Sequence, residues 1–64
     1  MEETSIAVVD DHTLFRKGLV SLLTKSKYSF RVVWEASNGA EFLDKMAVLV
    51  PDVVLMDISM PVMD

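Results

Sequence analysis

Three aspartates stand where acid chemistry is possible. Asp10 and Asp11 follow the apolar run Ile6–Val9, and Asp57 follows a second apolar run that begins at Val53. If the two runs lie side by side, three carboxylates converge at one end of them. Like charges at that distance repel, so one carboxylate is protonated or a cation compensates the group. Carboxylates, a carbonyl and waters are hard oxygen ligands and suit Mg²⁺, which retains several waters. Zinc prefers nitrogen and sulfur, and His12 is the only histidine. Mg²⁺ held this way serves phosphoryl groups, and a carboxylate can attack phosphorus to give an acyl phosphate. Asp57, at a strand tip before a loop, is the candidate nucleophile, and Asp10 and Asp11 are candidate metal ligands.

Each acid has a plainer reading when taken singly. Asp10 or Asp11 suits the cap of a helix starting near Thr13, because acids favour the positive end of its dipole. Asp57 suits a turn. His12 reads as a polar residue at a helix start, Gly18 as a point of close helix–sheet packing, and Trp34 and Phe30 as core. The acid pair and Asp57 together, at equivalent ends of two apolar runs, favour the chemical reading.

The elements that must position these acids are legible from periodicity. Ile6–Val9 is short, apolar and β-branched, as a strand buried on both faces is. Phe15, Leu19, Leu22 and Leu23 then form one stripe of an amphipathic helix, with Lys25 and Lys27 near its negative pole. Phe30–Ala36 reads as a second strand, and Ser37, Asn38 and Gly39 turn the chain into a second helix. Leu43, Met46, Ala47 and Val50 predict that helix's inner face, with Glu41, Asp44 and Lys45 in water, and Pro51 stops it. Val53–Ile58 is the third strand. The order β-α-β-α-β implies an α/β fold with parallel strands joined by right-handed crossovers. In such sheets ligands bind at the carboxyl ends of the strands, where all three acids lie.

Composition narrows the remaining classes. At 64 residues the chain is one small domain, burying roughly 60% of the surface its unfolded form exposes. It is 52% hydrophobic and has no cysteine, so neither disulfides nor a thiolate site supports it. The net charge is −4, and the six basic residues form no stripe, which argues against nucleic-acid binding by this segment. The acidic start MEETS is unlike a signal peptide, and the longest apolar run, Met46–Val50, is too short for a bilayer. A soluble, cytoplasmic domain is the expectation.

With these residues in view, the chain resembles the receiver domain of two-component response regulators. IAVVDDH is similar to the family's first strand and acidic pair, and PDVVLMDISMPVMD to its phosphoacceptor block. DDHTLFRKGLVSLL is similar to regulators that carry a C-terminal helix-turn-helix output domain. The three motifs occur in order and with compatible spacing, and they cover about the first half of a receiver domain. The resemblance implies a partial flavodoxin-like fold with strand order 2-1-3 and two helices, residues 1–64 being the N-terminal half of the domain.

By the same resemblance, Asp57 is the phosphoacceptor, serving a sensor histidine kinase, and the chain is not itself an enzyme. Asp11 binds Mg²⁺ directly, Asp10 acts mostly through a metal-bound water, Asp57 completes the carboxylate set, Ser59 offers its backbone carbonyl to the metal, and Pro61 shapes the loop beyond. The family's Ser or Thr after a fourth strand and Lys after a fifth have no match here. DNA binding is expected only of an output domain outside this segment. A half-domain leaves Val53–Ile58 as a bare apolar edge and part of the sheet face uncovered, which predicts a homodimer or higher oligomer through either surface. The alternative function is a receiver-like assembly module that self-associates through that strand and is not phosphorylated.

Overall fold

The computed structural model describes residues 3–57. Strand β1 (Thr4–Val9), helix α1 (Thr13–Lys25), β2 (Phe30–Ala36), helix α2 (Gly39–Val48) and β3 (Val53–Met56) follow in that order. The three strands are parallel and lie in the order β2-β1-β3, as expected. Both crossovers are single helices: α1 joins the neighbours β1 and β2, and α2 carries the chain from β2 past β1 to the other edge at β3. No helix among the described residues is long and apolar enough to cross a membrane.

The central position of β1 follows from its composition. Ile6, Ala7, Val8 and Val9 are all buried, because the strand is paired on both edges and covered on both faces. Alternation along the strand sends Ala7 and Val9 into a cluster with Trp34 and Ala36, against which Val33, Phe42, Met46 and Val54 pack. Between Ile6 and Ala7 the pairing with β2 shifts by one residue, from Val32 to Trp34, leaving Val33 as the extra residue of a bulge.

Two polar devices set where the connections begin. Asn38 caps α2, its side chain accepting the Glu41 N–H at 2.9 Å, while Glu41 Oε1 accepts from the Ser37 N–H and hydroxyl. Immediately before β3, Asp52 Oδ2 accepts from the Ser5 N–H at 2.9 Å and the Ser5 hydroxyl at 3.0 Å, and the Asp52 N–H donates back to Ser5 Oγ at 2.8 Å. These bonds sit one step ahead of the Ile6–Val53 pair and so lock the β1–β3 register.

The structure alters several expected faces. In α1 the half-buried residues are Arg16, Leu19, Val20 and Leu23, whereas Phe15 and Leu22 are exposed. Arg16 turns the helix: its ion pair with Glu35 on β2 draws the i, i+3, i+4, i+7 face that it heads onto the sheet. In α2, Phe42 and Met46 pack inward, while Leu43 and Ala47 are exposed, and Val50 lies beyond the helix, which ends at Val48, and is exposed too. The cause is Trp34, whose ring lies 6.2 Å from that of Phe42 and whose Nε1–H donates to the Leu49 carbonyl at 2.9 Å. Gly18 serves no close packing, since a Cβ there meets no neighbouring atom within 4 Å. Phe30 is half-buried beside Tyr28. Strand β3 is Val53–Met56, Ile58 lying outside the described residues, and Val53, Leu55 and Met56 are exposed.

Two expectations about stability follow. Gly18→Ala should raise stability by about 0.5–1 kcal/mol, because it removes backbone freedom from the unfolded chain without a clash, and a higher urea midpoint at unchanged m-value checks this. The Ser5 N–H, then the Ser5 hydroxyl, hold the Asp52 carboxyl below its ordinary range. A group depressed in the folded state stabilises at neutral pH and loses that contribution as pH falls through its folded value. Urea melts at pH 7 and pH 3 should therefore show a smaller acid-dependent loss in Asp52→Asn than in the parent chain.

Candidate acidic site

The last ladder bonds of the central strand carry the site. The Asp10 N–H donates to the Ala36 carbonyl at 3.0 Å, so the β1–β2 pairing runs one residue beyond the strand. On the other edge the Asp57 N–H donates to the Val9 carbonyl at 3.1 Å. Two acids from opposite ends of the sequence are thus fixed on adjacent strands at the same end of the sheet. One ligand atom from each of Asp10, Asp11, His12 and Asp57 lies within 4.8 Å of the others.

The acids differ in environment. The Asp10 side chain is 1% exposed. Its Oδ1 accepts the His12 N–H at 2.7 Å, closing the turn into α1. Its Oδ2 is buried with no hydrogen-bond partner among the described residues. An unsatisfied buried oxygen costs about 1–3 kcal/mol, more when charged, unless a group inserted into the site relieves it. Asp11 is more open, and Asp57 is half-buried just beyond β3. His12 occupies the cap position of α1, but its side chain makes no capping bond. Instead its Nδ1 stands 2.9 Å from Asp11 Oδ1 and 3.3 Å from Asp10 Oδ1.

Behind the acids Arg16 makes a clamp. Its Nη1 donates to the Asp10 carbonyl at 2.8 Å and its Nε to Glu35 Oε1 at 3.0 Å, joining the β1–α1 turn to β2. Lys17 adds a looser contact to Glu35. The pocket wall between Asp10 and Asp57 is apolar, formed by Phe15, Leu19, Leu55 and Met56.

Asp10, Asp11 and Asp57 are therefore brought together as the sequence leads one to expect, and Ser59 and Pro61 lie outside the described residues. Sequence reasoning missed the His12 imidazole and the Arg16 clamp. A signal for Arg16 was present: a basic residue in the first turn of a helix opposes the dipole and calls for a local partner. Carboxylate oxygens within reach of one another, one of them buried and unsatisfied, fit a hard divalent cation.

Comparison with known proteins gives a consistent picture. The model of the response regulator receiver domain family matches residues 6–64. The probable transcriptional regulatory protein NarL of Mycobacterium tuberculosis strain H37Rv is 46% identical over 63 residues, 98% of this chain and 29% of that protein. A protein-glutamate methylesterase/protein-glutamine glutaminase of Pseudoalteromonas atlantica is 46% identical over 59 residues, 92% of this chain and 15% of that protein. The solved signal receiver domain of NarL from Mycobacterium tuberculosis superposes with a TM-score of 0.85 at 45% identity, covering all of this chain and 51% of that one. The chain thus spans less than a third of these curated relatives and about half of the solved receiver domain.

Proposed function

The chain belongs to the response regulator receiver domain family, and on that premise we propose that it is the N-terminal half of a receiver whose Asp57 accepts a phosphoryl group from a sensor histidine kinase. The observation that supports this most is the Asp57–Val9 hydrogen bond, which holds a carboxylate beside the Asp10–Asp11 pair at the carboxyl end of the sheet.

In the proposed reaction a carboxylate oxygen of Asp57 attacks phosphorus in line with a phosphohistidine nitrogen. The O–P bond forms as the P–N bond breaks, and the electron pair leaves with the imidazole, which takes a proton from solvent. Asp10, Asp11 and Asp57 would hold a Mg²⁺ ion, to which Ser59 would add its backbone carbonyl, with Pro61 shaping the loop beyond. When bound, Mg²⁺ supplies charge neutralisation for the oxygens of the transferring group. The chain's own task is placement. The ladder bonds fix the backbones of Asp10 and Asp57, and the Arg16 clamp fixes the Asp10 carbonyl so that its side chain stays aimed inward. The apolar wall of Phe15, Leu19, Leu55 and Met56 limits water on one side of Asp57, which slows hydrolysis of the acyl phosphate. No residue of this segment is assigned a catalytic turnover. Among the relatives, a regulator and a methylesterase share the matching unit, consistent with an input module that serves different outputs.

The exposed apolar side chains of β3 support a second surface role, self-association through the Val53–Met56 edge or the adjoining sheet face. It is compatible with phosphoryl acceptance and does not replace it.

Two measurements test these proposals. Treated with a small acyl phosphate and Mg²⁺, the chain should gain one phosphoryl group by intact mass, and Asp57→Asn should gain none; an adduct of equal yield in the variant overturns the assignment. Light scattering should give a mass above that of one chain, falling when Leu55 is replaced by Lys, whereas a single-chain mass at all concentrations removes the self-association.

A further inference from the structure

Helix α1 carries two apolar stripes that share Leu19. The sheet takes up one of them, Leu19, Val20 and Leu23. The other holds Leu14, Phe15 and Leu22, which are 87%, 57% and 71% exposed. This second stripe is one wall of an open trough that also takes in Gly18 and Ser21 and ends at His12 and Asp57. None of the α1 residues lining the trough is charged. Because α1 packs chiefly over β1 and β2, the trough continues beneath Phe15 and Leu19 to β3, where Leu55 and Met56 are exposed.

Phe15, Leu19 and Leu22 are spaced by four and then three residues, the spacing along which two helices seat side by side. An uncharged helix with that same spacing fits the stripe, and α1 of a second copy has it. An exposed apolar patch of this kind, on the order of 500 Å², marks an interaction surface. Two of them face to face approach the roughly 1,200 Å² at which stable, specific interfaces begin. We propose that α1 is a dimerisation helix, with α1 of a second copy lying parallel to it in the trough. The inference rests on the self-association proposed above and names the helix that carries it. The partner's sheet clears this one only by closing over the helices from their other side, which a two-fold axis along the seam achieves. That axis sets like residues against like, Phe15 against the partner's Phe15 and Leu22 against the partner's Leu22. The outer side of α1, with Leu14, Gly18 and Ser21, then meets the partner's β3. Gly18 gives that close approach its room: a Cβ there meets nothing within 4 Å in the single chain.

Sedimentation velocity on the full chain, over a concentration series, reads the association. The parent chain should form a dimer. Gly18→Gln and Leu22→Gln should each raise its dissociation constant by about tenfold or more, because a two-fold contact changes both copies of the residue at once. Gly18→Gln adds bulk to open space and removes a glycine from a helix interior, so its single chain should fold at least as well as the parent. Far-UV circular dichroism at high dilution checks this. The chain has no cysteine, so Leu22→Cys supplies the one thiol per copy. Diamide, taking the two thiol hydrogens, should join two Leu22→Cys chains by a disulfide, whereas Thr24→Cys on the opposite flank of α1 should stay uncoupled. An unchanged dissociation constant in the folded glutamine variants, or a dimer whose Leu22→Cys form yields no disulfide, overturns the α1 seam and leaves self-association at the β3 edge standing. A single-chain mass at every concentration overturns the seam and the self-association together, and leaves the trough to a further segment of a longer chain.

Discussion

Everything at the acidic end of this molecule depends on the two hydrogen bonds by which the central strand holds its neighbours past their last paired residues. The Asp10 N–H is held by Ala36 and the Asp57 N–H by Val9, so the positions of both acids follow from sheet pairing rather than from loop conformation. Strand β1 can carry this load because Ile6–Val9 is buried throughout, and because the Ser5–Asp52 bonds set the β1–β3 register at the opposite end. A one-residue slip in that pairing would reverse the face of every β3 side chain and move Asp57 by a residue's rise.

Bringing acids together costs free energy, and the fold distributes that cost. Asp10 is taken out of water with one oxygen committed to the turn N–H of His12 and the other unsatisfied among the described residues. Arg16 turns its side chain to the backbone of the turn and to β2. It holds the Asp10 carbonyl and pairs with Glu35, so its charge is largely answered behind the pocket instead of inside it. A pocket arranged this way keeps its anionic character for an incoming cation and keeps its geometry without one, the condition for preorganised binding.

The same clamp explains the seating of α1. With Arg16 anchored on β2, the helix puts Leu19, Val20 and Leu23 toward the sheet and leaves Phe15 and Leu22 exposed. On the other face Trp34 performs the equivalent task for α2, fixing its end through Leu49 and drawing Phe42 inward. In both helices one polar or amphipathic side chain, rather than the sum of apolar residues, chooses which of two neighbouring stripes is buried. The bulge at Val33 lies on β2, which carries both anchors.

The sequence alone determined the element order, the parallel α/β class, the turn at Ser37, Asn38 and Gly39 that leads into α2, and the place of Asp10, Asp11 and Asp57 at strand ends, while their convergence follows from β1–β3 pairing. The former are local matters: β-branched runs, 3.6-residue periodicity, turn residues and acids at strand ends are written in contiguous residues. It did not determine which stripe of each helix is buried, because Phe15 or Val20, and Leu43 or Phe42, satisfy the same period within one residue. It did not reveal the contacts of Gly18, His12 or Arg16: a Cβ at Gly18 meets no neighbouring atom within 4 Å, His12 meets Asp10 and Asp11 in the turn into α1, and Arg16 reaches Glu35 on β2. Tertiary structure decided the buried stripes through Glu35 and Trp34, two side chains of β2 whose partners lie toward the helices at either side of it. Periodicity reports that a face is apolar; a specific long-range bond selects its rotation.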